Sequence, residues 1–169
     1  MHVTDEFDRT LSAEAQQLLR RAGGYGRTEI APHAKEWEYA RQSPVDAIRR
    51  ACAAGFGSVE LPSSFGGLAL PFSAKMRLAE EFSRYDLAFA FALVQQQNVL
   101  LRIAEVAPAA LAQALVPRMV TGELIGCTAM SEPTTGSDFG AIRTQATRVR
   151  GGWELTGEKA GSPTPRWPT

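Results

Sequence analysis

The stretch Ala129–Asp138, AMSEPTTGSD, concentrates the residue types best suited to handling a polar ligand. Ser131, Thr134, Thr135 and Ser137 supply hydroxyls that donate and accept hydrogen bonds without adding bulk. Gly136 lets the backbone come close to a ligand, and Pro133 with Gly136 punctuates the segment. Such a stretch serves either as a polar surface loop or as a cradle of backbone N–H groups and hydroxyls, and composition alone leaves both open. Glu132 and Asp138 read as shape-holding carboxylates, because acids beside small hydroxyls readily cap turns.

Other chemistries lack material. His2 and His33 are the only histidines, so a multi-histidine metal site and a histidine-assisted Ser or Cys nucleophile have almost no material, and no metal is expected. His33, beside Pro32 in a helical pattern, reads as a surface or capping residue. No GxxxxGK[ST] is present and no GxGxxG follows a strand; Gly55-Phe56-Gly57 reads as a helix terminator. Cys52 and Cys127 are distant and form no CxxC, which fits two reduced thiols in a reducing compartment such as the cytoplasm.

The loop must be positioned by what precedes it. The apolar run Leu124–Met130 reads as a buried strand that empties into the loop. Ahead of it the pattern is helical. Ser12 caps a first helix with Leu18 and Leu19 on its apolar face, and Gly23-Gly24 and Pro32 predict a broken or kinked course to about Gln42. Ser43, Pro44 and Asp46 open a second helix with Val45, Ile48 and Cys52 on one face and Gly55 at its end. Pro62 and Gly66-Gly67 make Phe56–Leu70 a loop. A third helix runs from Pro71 to Arg84 with Met76, Ala79 and Phe82 at helical spacing.

Asp86 caps a fourth helix, whose opening Leu87–Val94 is apolar all round and so must be central in the bundle or at a subunit interface. Four amides, Gln95 to Asn98, follow directly, and any that turn inward need partners. Pro108 starts a fifth helix that Pro117 is expected to break. After Gly122 the pattern turns to strand: Leu124–Met130, then Thr144–Arg150, a Gly151-Gly152 turn and Trp153–Thr156. The fold class is therefore mainly α, a helical bundle over residues 1–122 followed by the first strands of a β domain over 123–160.

The 169 residues, 44% hydrophobic, can bury one core and part of a second. Lys plus Arg equals Asp plus Glu at 18 each, so no net charge points to a nucleic-acid or membrane partner. Arg20-Arg21 and Arg49-Arg50 read as solvated helix faces. The longest apolar run, Leu87–Val94, falls well short of the roughly 18 residues that span a bilayer, and the polar N-terminus resembles no signal peptide. No membrane span is expected.

SEPTTGSD after a strand resembles the flavin-binding signature of the acyl-CoA dehydrogenases: Thr or Ser, Glu, Pro, two variable residues, then Gly-Ser-Asp. EIAPHAKEWE at Glu29–Glu38, AGFGSVELPSSFGGLAL at Ala54–Leu70 and VTGELIG at Val120–Gly126 follow that family's order and spacing. The resemblance covers about residues 10 to 160. It implies FAD as cofactor, an acyl-CoA thioester as substrate, electron-transfer flavoprotein or a similar acceptor, and a homo-oligomer. It also implies that residues 123–160 begin a β-barrel-like domain that is truncated here.

By the same resemblance, Thr128, Met130 and Ser131 lie along the isoalloxazine edge, with the Ser131 hydroxyl toward the reactive end of the ring. Gly136 and Ser137 complete the cofactor contacts, and Ser137 also lies near the substrate's thioester tail. The family takes the α-hydrogen of the acyl group as a proton and passes the β-hydrogen to the flavin as hydride. Its glutamate base belongs to a C-terminal helical domain beyond residue 169, so no catalytic residue is assigned here and the chain alone is expected to be inactive. Flavin monooxygenases and nitroalkane oxidases of the same fold remain alternatives, as does a non-catalytic helical module that binds a partner through its apolar helix.

Family members continue G-E-K-x-W-I-T-N-A, whereas here Gly157-Glu158-Lys159-Ala160 is followed by GSPTPRWPT. Those residues can be encoded so that one added base in front of them shifts the reading to WITNAAVAD, the family's continuation. Residues 161–169 are therefore expected to be an out-of-frame tail, against the alternative of a Pro-rich disordered one. Resequencing across codon 160 is expected to show the other frame running on into a long open frame; DNA that stops or diverges after codon 169 would contradict the frameshift.

Overall fold

The computed structural model describes residues 3–161, with side chains from Glu6 onward. His2 and the tail after Gly161 lie outside the described residues. The chain divides into two compact units, residues 1–126 and 127–169, a few residues past the change of pattern at Gly122. It is mainly α, a helical domain followed by the start of a β domain.

The first unit holds α1 (Val3–Asp8), α2 (Ala13–Tyr25), α3 (Ala34–Ala40), α4 (Val45–Ala51), α5 (Phe72–Ser83), α6 (Leu87–Val106) and α7 (Ala109–Val120). Ser12 caps α2 as its spacing predicts, with the Ala15 N–H donating to its hydroxyl at 3.2 Å. Gly23-Gly24 does not break that helix. It runs on to Tyr25 and continues as a π-helical turn, Gly26–Ile30. Gly23 and Gly26 serve packing, whereas Gly24 faces open space: a Cβ on Gly23 would lie 2.9 Å from a Glu81 carboxylate oxygen, and one on Gly26 only 2.2 Å from the Tyr85 ring. The Tyr85 hydroxyl also donates to the Gly23 carbonyl at 3.1 Å, so α2 gains a neighbour where it forgoes side chains.

Leu18, Ile48, Phe56, Leu78, Phe82, Phe89 and Leu93 form the heart of the main core. Tyr25, Phe56, Phe82 and Phe89 meet edge-on in series, with centroids 5.1, 5.2 and 5.4 Å apart. Each such pair adds about 1 kcal/mol beyond the area it buries. Cys52 is part of this core, and burial pushes its thiol up to about 12, which makes it a packing group rather than a nucleophile.

Several expectations are corrected. On α4 no side chain caps the N-terminus, so Ser43 does not play that part. The buried face of α5 is Ala74, Leu78 and Phe82, one residue every turn, while Met76 is exposed at 45%. The helix is offset because Lys75 and Arg77 go inward on ion pairs, Lys75 with Glu60 and Arg77 with Asp8 and Glu80. Pro117 does not end α7. The missing N–H costs one bond, but Val116 and Met119 on either side are buried in a second core with Leu61, Leu100 and Ala112.

Although α6 is apolar all round at its start, only one side is covered. Phe89, Ala90 and Leu93 are buried, whereas Leu87 and Phe91 are 72% and 54% exposed. Among the described residues it is the one helix whose length and mean hydropathy of 1.2 reach what a membrane crossing requires. Its inward face also carries two buried glutamines, which marks it as the core helix of a bundle.

Both glutamines bond backbone groups of other segments. Gln96 donates to the carbonyls of Met119 and Leu124 at 3.3 and 3.2 Å and accepts from the Gly126 N–H at 2.6 Å. Gln97 accepts from the Val59 N–H at 3.3 Å, and Asn98 accepts from Lys75 at 3.1 Å.

In the second unit β1 (Gln145–Val149) and β2 (Gly152–Thr156) pair antiparallel, Gln145 opposite Thr156 and Val149 opposite Gly152. The turn falls at Arg150-Gly151, one residue earlier than expected, with Gly151 at φ +93. The expected strand Leu124–Met130 has no ladder partner among the described residues. An apolar pattern favours burial, but a ladder needs a neighbouring edge.

Gln96→Met keeps the volume but leaves the Leu124 carbonyl and the Gly126 N–H without their partner, while the Met119 carbonyl keeps the Gly122 N–H. It should lower the unfolding free energy of the helical unit by about 2 kcal/mol, read from urea unfolding. An unchanged midpoint would contradict this role.

Candidate functional site

The segment entering the hydroxylic loop is fixed before the loop begins. Arg49, expected on a solvated face, instead reaches across from α4 and donates to the carbonyls of Gly122 and Glu123 at 2.9 and 2.5 Å. Gly122 takes φ +78 there, and a Cβ would sit 2.5 Å from the Arg49 carbonyl oxygen, so both sterics and conformation demand glycine. Gln96 then holds Gly126, the last residue of the helical unit.

Within the second unit the loop is built around Glu132. Its neighbours Pro133 and Thr134 form a tight turn in which the Glu132 N–H donates to the Thr135 carbonyl at 2.8 Å and Thr135 returns the bond at 3.1 Å. The Glu132 side chain is buried, and four donors converge on it: the Thr144 hydroxyl at 2.6 Å, the N–H groups of Arg143 and Thr144 at 2.8 and 2.9 Å, and the Lys159 ammonium at 3.0 Å. The Thr144 hydroxyl leads in holding this carboxyl down at about 2, with the Arg143 N–H and Lys159 behind it.

Lys159 also donates to the Met130 carbonyl at 3.2 Å, and the Ala160 N–H to the Ser131 carbonyl at 2.9 Å. One carboxylate thus ties the loop to the residues entering β1 and to those leaving β2. Thr135 is buried with its hydroxyl donating to the Ala141 carbonyl at 3.3 Å, and Asp138 accepts from the Gly140 N–H at 3.1 Å. Glu132 and Asp138 therefore hold shape, as their surroundings in the sequence suggest.

With the loop's interior so occupied, its exterior is left for a ligand. Thr128, Met130, Ser131, Gly136 and Ser137 are all exposed. The tight turn brings Ser131 and Gly136 to adjoining positions on either side of the Glu132–Thr135 pair. The hydroxyls of Ser131 and Ser137 and the N–H groups of Met130, Ser131, Gly136 and Ser137 make no hydrogen bond to another described residue. A Cβ at Gly136 would meet nothing within 4 Å, so the space above it is open. Uncommitted N–H and O–H donors beside open space suit the polar edge of a flat heterocycle, and FAD fits these residues on that ground. Among the described residues, no group of three or more His, Cys, Asp or Glu could hold a metal ion.

Sequence reasoning missed Thr144, Lys159, Arg49 and Gln96 as the supports of this site. The buried amides announced themselves as polar residues inside an apolar helix. Glu132 to Thr144 or Lys159 is a pairing across a hairpin, which no local spacing reveals.

Residues 12–123 match the family described as acyl-CoA dehydrogenase, N-terminal domain. The chain is 30% identical over 155 residues to benzylmalonyl-CoA dehydrogenase of Aromatoleum aromaticum, covering 91% of this chain and 41% of that protein. It is similar to a glutaryl-coenzyme A dehydrogenase solved as its glutaryl-CoA complex, with TM-score 0.85 at 27% identity over 90% of this chain and 40% of that one. In fold it also matches a glutaryl-CoA dehydrogenase of Mycobacterium smegmatis solved with FADH2, with TM-score 0.85 at 21% identity over 92% and 40% of the two chains. The chain spans about two-fifths of the length of these relatives.

A carboxyl lowered from an ordinary 4.5 to about 2 stabilises the folded loop above the ordinary value and loses that contribution as pH falls through about 2. The protection factors of the Arg143 and Thr144 amides, taken against the intrinsic exchange rate at each pH, should therefore fall on acidification across that window, and Glu132→Gln should flatten the dependence. Protection that is the same at both ends of the window would contradict the arrangement.

Proposed function

The chain belongs to the acyl-CoA dehydrogenase family, and on that premise we propose that it supplies the N-terminal helical domain and the flavin-binding loop of an FAD-dependent acyl-CoA dehydrogenase. The observation that carries this reading is the set of exposed, uncommitted donors at Met130, Ser131, Gly136 and Ser137, held in place from behind by Glu132.

FAD, when bound, supplies the acceptor for the hydride leaving the acyl β-carbon. The chain's own residues bind and orient. The N–H groups of Met130 and Ser131 and the Ser131 hydroxyl would hold the ring edge, and that hydroxyl would favour the negatively charged form of the ring. Thr128 lines the same edge. Gly136 keeps the approach open, and Ser137 would donate toward the pyrophosphate and the substrate's thioester tail. The loop's donors are set before ligand arrives, so little ordering cost falls on binding.

Abstraction of the α-proton needs a base of intermediate strength within reach of the substrate. Glu132, saturated by four donors and held at about 2, is unsuited to it. The base is assigned to a residue outside this chain, and the chain alone is expected to be inactive. Acyl-CoA as substrate, electron-transfer flavoprotein or a similar acceptor as redox partner, and homo-oligomeric assembly belong to the same proposal.

The full-length protein carrying these residues should purify with FAD and convert an acyl-CoA to its enoyl-CoA with a dye as acceptor. Ser131→Ala should slow flavin reduction at least about tenfold, the effect of removing one preorganised donor. The isolated chain should bind FAD weakly or not at all. A colourless, inactive full-length protein would overturn the reading, and stoichiometric FAD on the isolated chain would overturn the need for residues outside it.

A further inference from the structure

We propose that the cleft between the end of α1, the second half of α2 and α5 is a docking groove for an extended acidic segment of a partner protein. The cleft encloses 550 Å³ and is distant in sequence from the loop at 129–138. Arg9, Arg20 and Arg27 line it, all three exposed. None of them has an ion-pair or hydrogen-bond partner among the described residues. The acids in the same walls are already committed. Asp8 is gripped by Arg77 at 2.6 and 2.9 Å, and Glu81 faces Arg84 at 3.3 Å. In a chain whose charges balance overall, three guanidinium groups around one cleft with no ion pair among the described residues are a local excess, although a Glu81 carboxylate oxygen lies near Arg27 at Gly23.

The layout selects the occupant. Arg20 and Arg27 lie seven residues apart on a continuous helical run, about 10 Å along its axis. Between them Gly23 presents no side chain, and Arg27 Nη1 lies 3.7 Å from where its Cβ would be, folded over the cleft floor. Arg9 stands on the other wall. A single phosphate is too compact to bridge cations so spread. An extended peptide repeats its side chains on one face about every 7 Å, so carboxylates on alternate residues reach both ends of the groove. Guanidinium forks match carboxylates bidentately, which gives register as well as attraction.

The test titrates the 169-residue chain into fluorescein-labelled hexaglutamate at low ionic strength and follows polarisation. Saturable binding is expected, weakening as salt is raised and falling at least about tenfold, or roughly 1.4 kcal/mol, in Arg20→Glu/Arg27→Glu. A charge-matched control, Arg102→Glu/Arg148→Glu, should leave it within about twofold. Arg20→Gln/Arg27→Gln repeats the test without charge reversal, and the melting profile checks that each variant folds. Absence of saturable binding, an equal loss in the control, or displacement by tripolyphosphate at lower concentration than unlabelled hexaglutamate would each overturn the proposal.

Discussion

The loop's architecture depends on one buried carboxylate. Glu132 accepts from two successive backbone N–H groups, a hydroxyl and an ammonium, which come from residues 143, 144 and 159. A charge taken out of water is costly unless its hydrogen-bonding capacity is filled. Here it is filled from both ends of the hairpin, so loop and hairpin hold each other in place. The hairpin itself is exposed on both faces and has no apolar core of its own. A lone two-stranded ribbon is marginal in water, so this polar hub does the work that a hydrophobic core does elsewhere.

The helical unit solves the complementary problem. Its core is apolar and aromatic, yet it buries Gln96 and Gln97 at the centre of α6. Both amides are spent on backbone groups in irregular segments: Val59 in the long loop, and Leu124 and Gly126 on the way out. Irregular chain cannot satisfy its own backbone as a helix does, and side-chain amides from a rigid helix take over that task. Arg49 adds a second clamp at Gly122 and Glu123. Polar groups inside this bundle thus fix the course of non-helical chain, including the piece that leads toward the site.

Much of this could be read from the sequence where the signal is local. The Ser12 and Asp86 caps, the long loop with its glycines, the hairpin and the inward-turning amides all follow from residue types at short spacing. What sequence patterns misjudged was tertiary. Gly23-Gly24 reads as a breaker until Glu81 is seen to need the space at Gly23. Pro117 reads as a stop until its neighbours prove to be buried. Met76 fits a helical face that α5 does not use, because two ion pairs turn the helix. Leu124–Met130 has the composition of a strand without an edge to pair with among the described residues. For the site, the exposed donors were legible as a motif and their supports were not.

The most direct measurement is a crystal structure of the full-length protein with FAD bound. The account predicts the Ser131 hydroxyl and the neighbouring N–H groups about 3 Å from the polar edge of the isoalloxazine ring, with the Glu132 contacts to Thr144 and Lys159 unchanged. Flavin bound elsewhere, or a 129–138 loop that must refold and release Glu132 to admit it, would contradict the claim that this loop is built in advance to receive the cofactor.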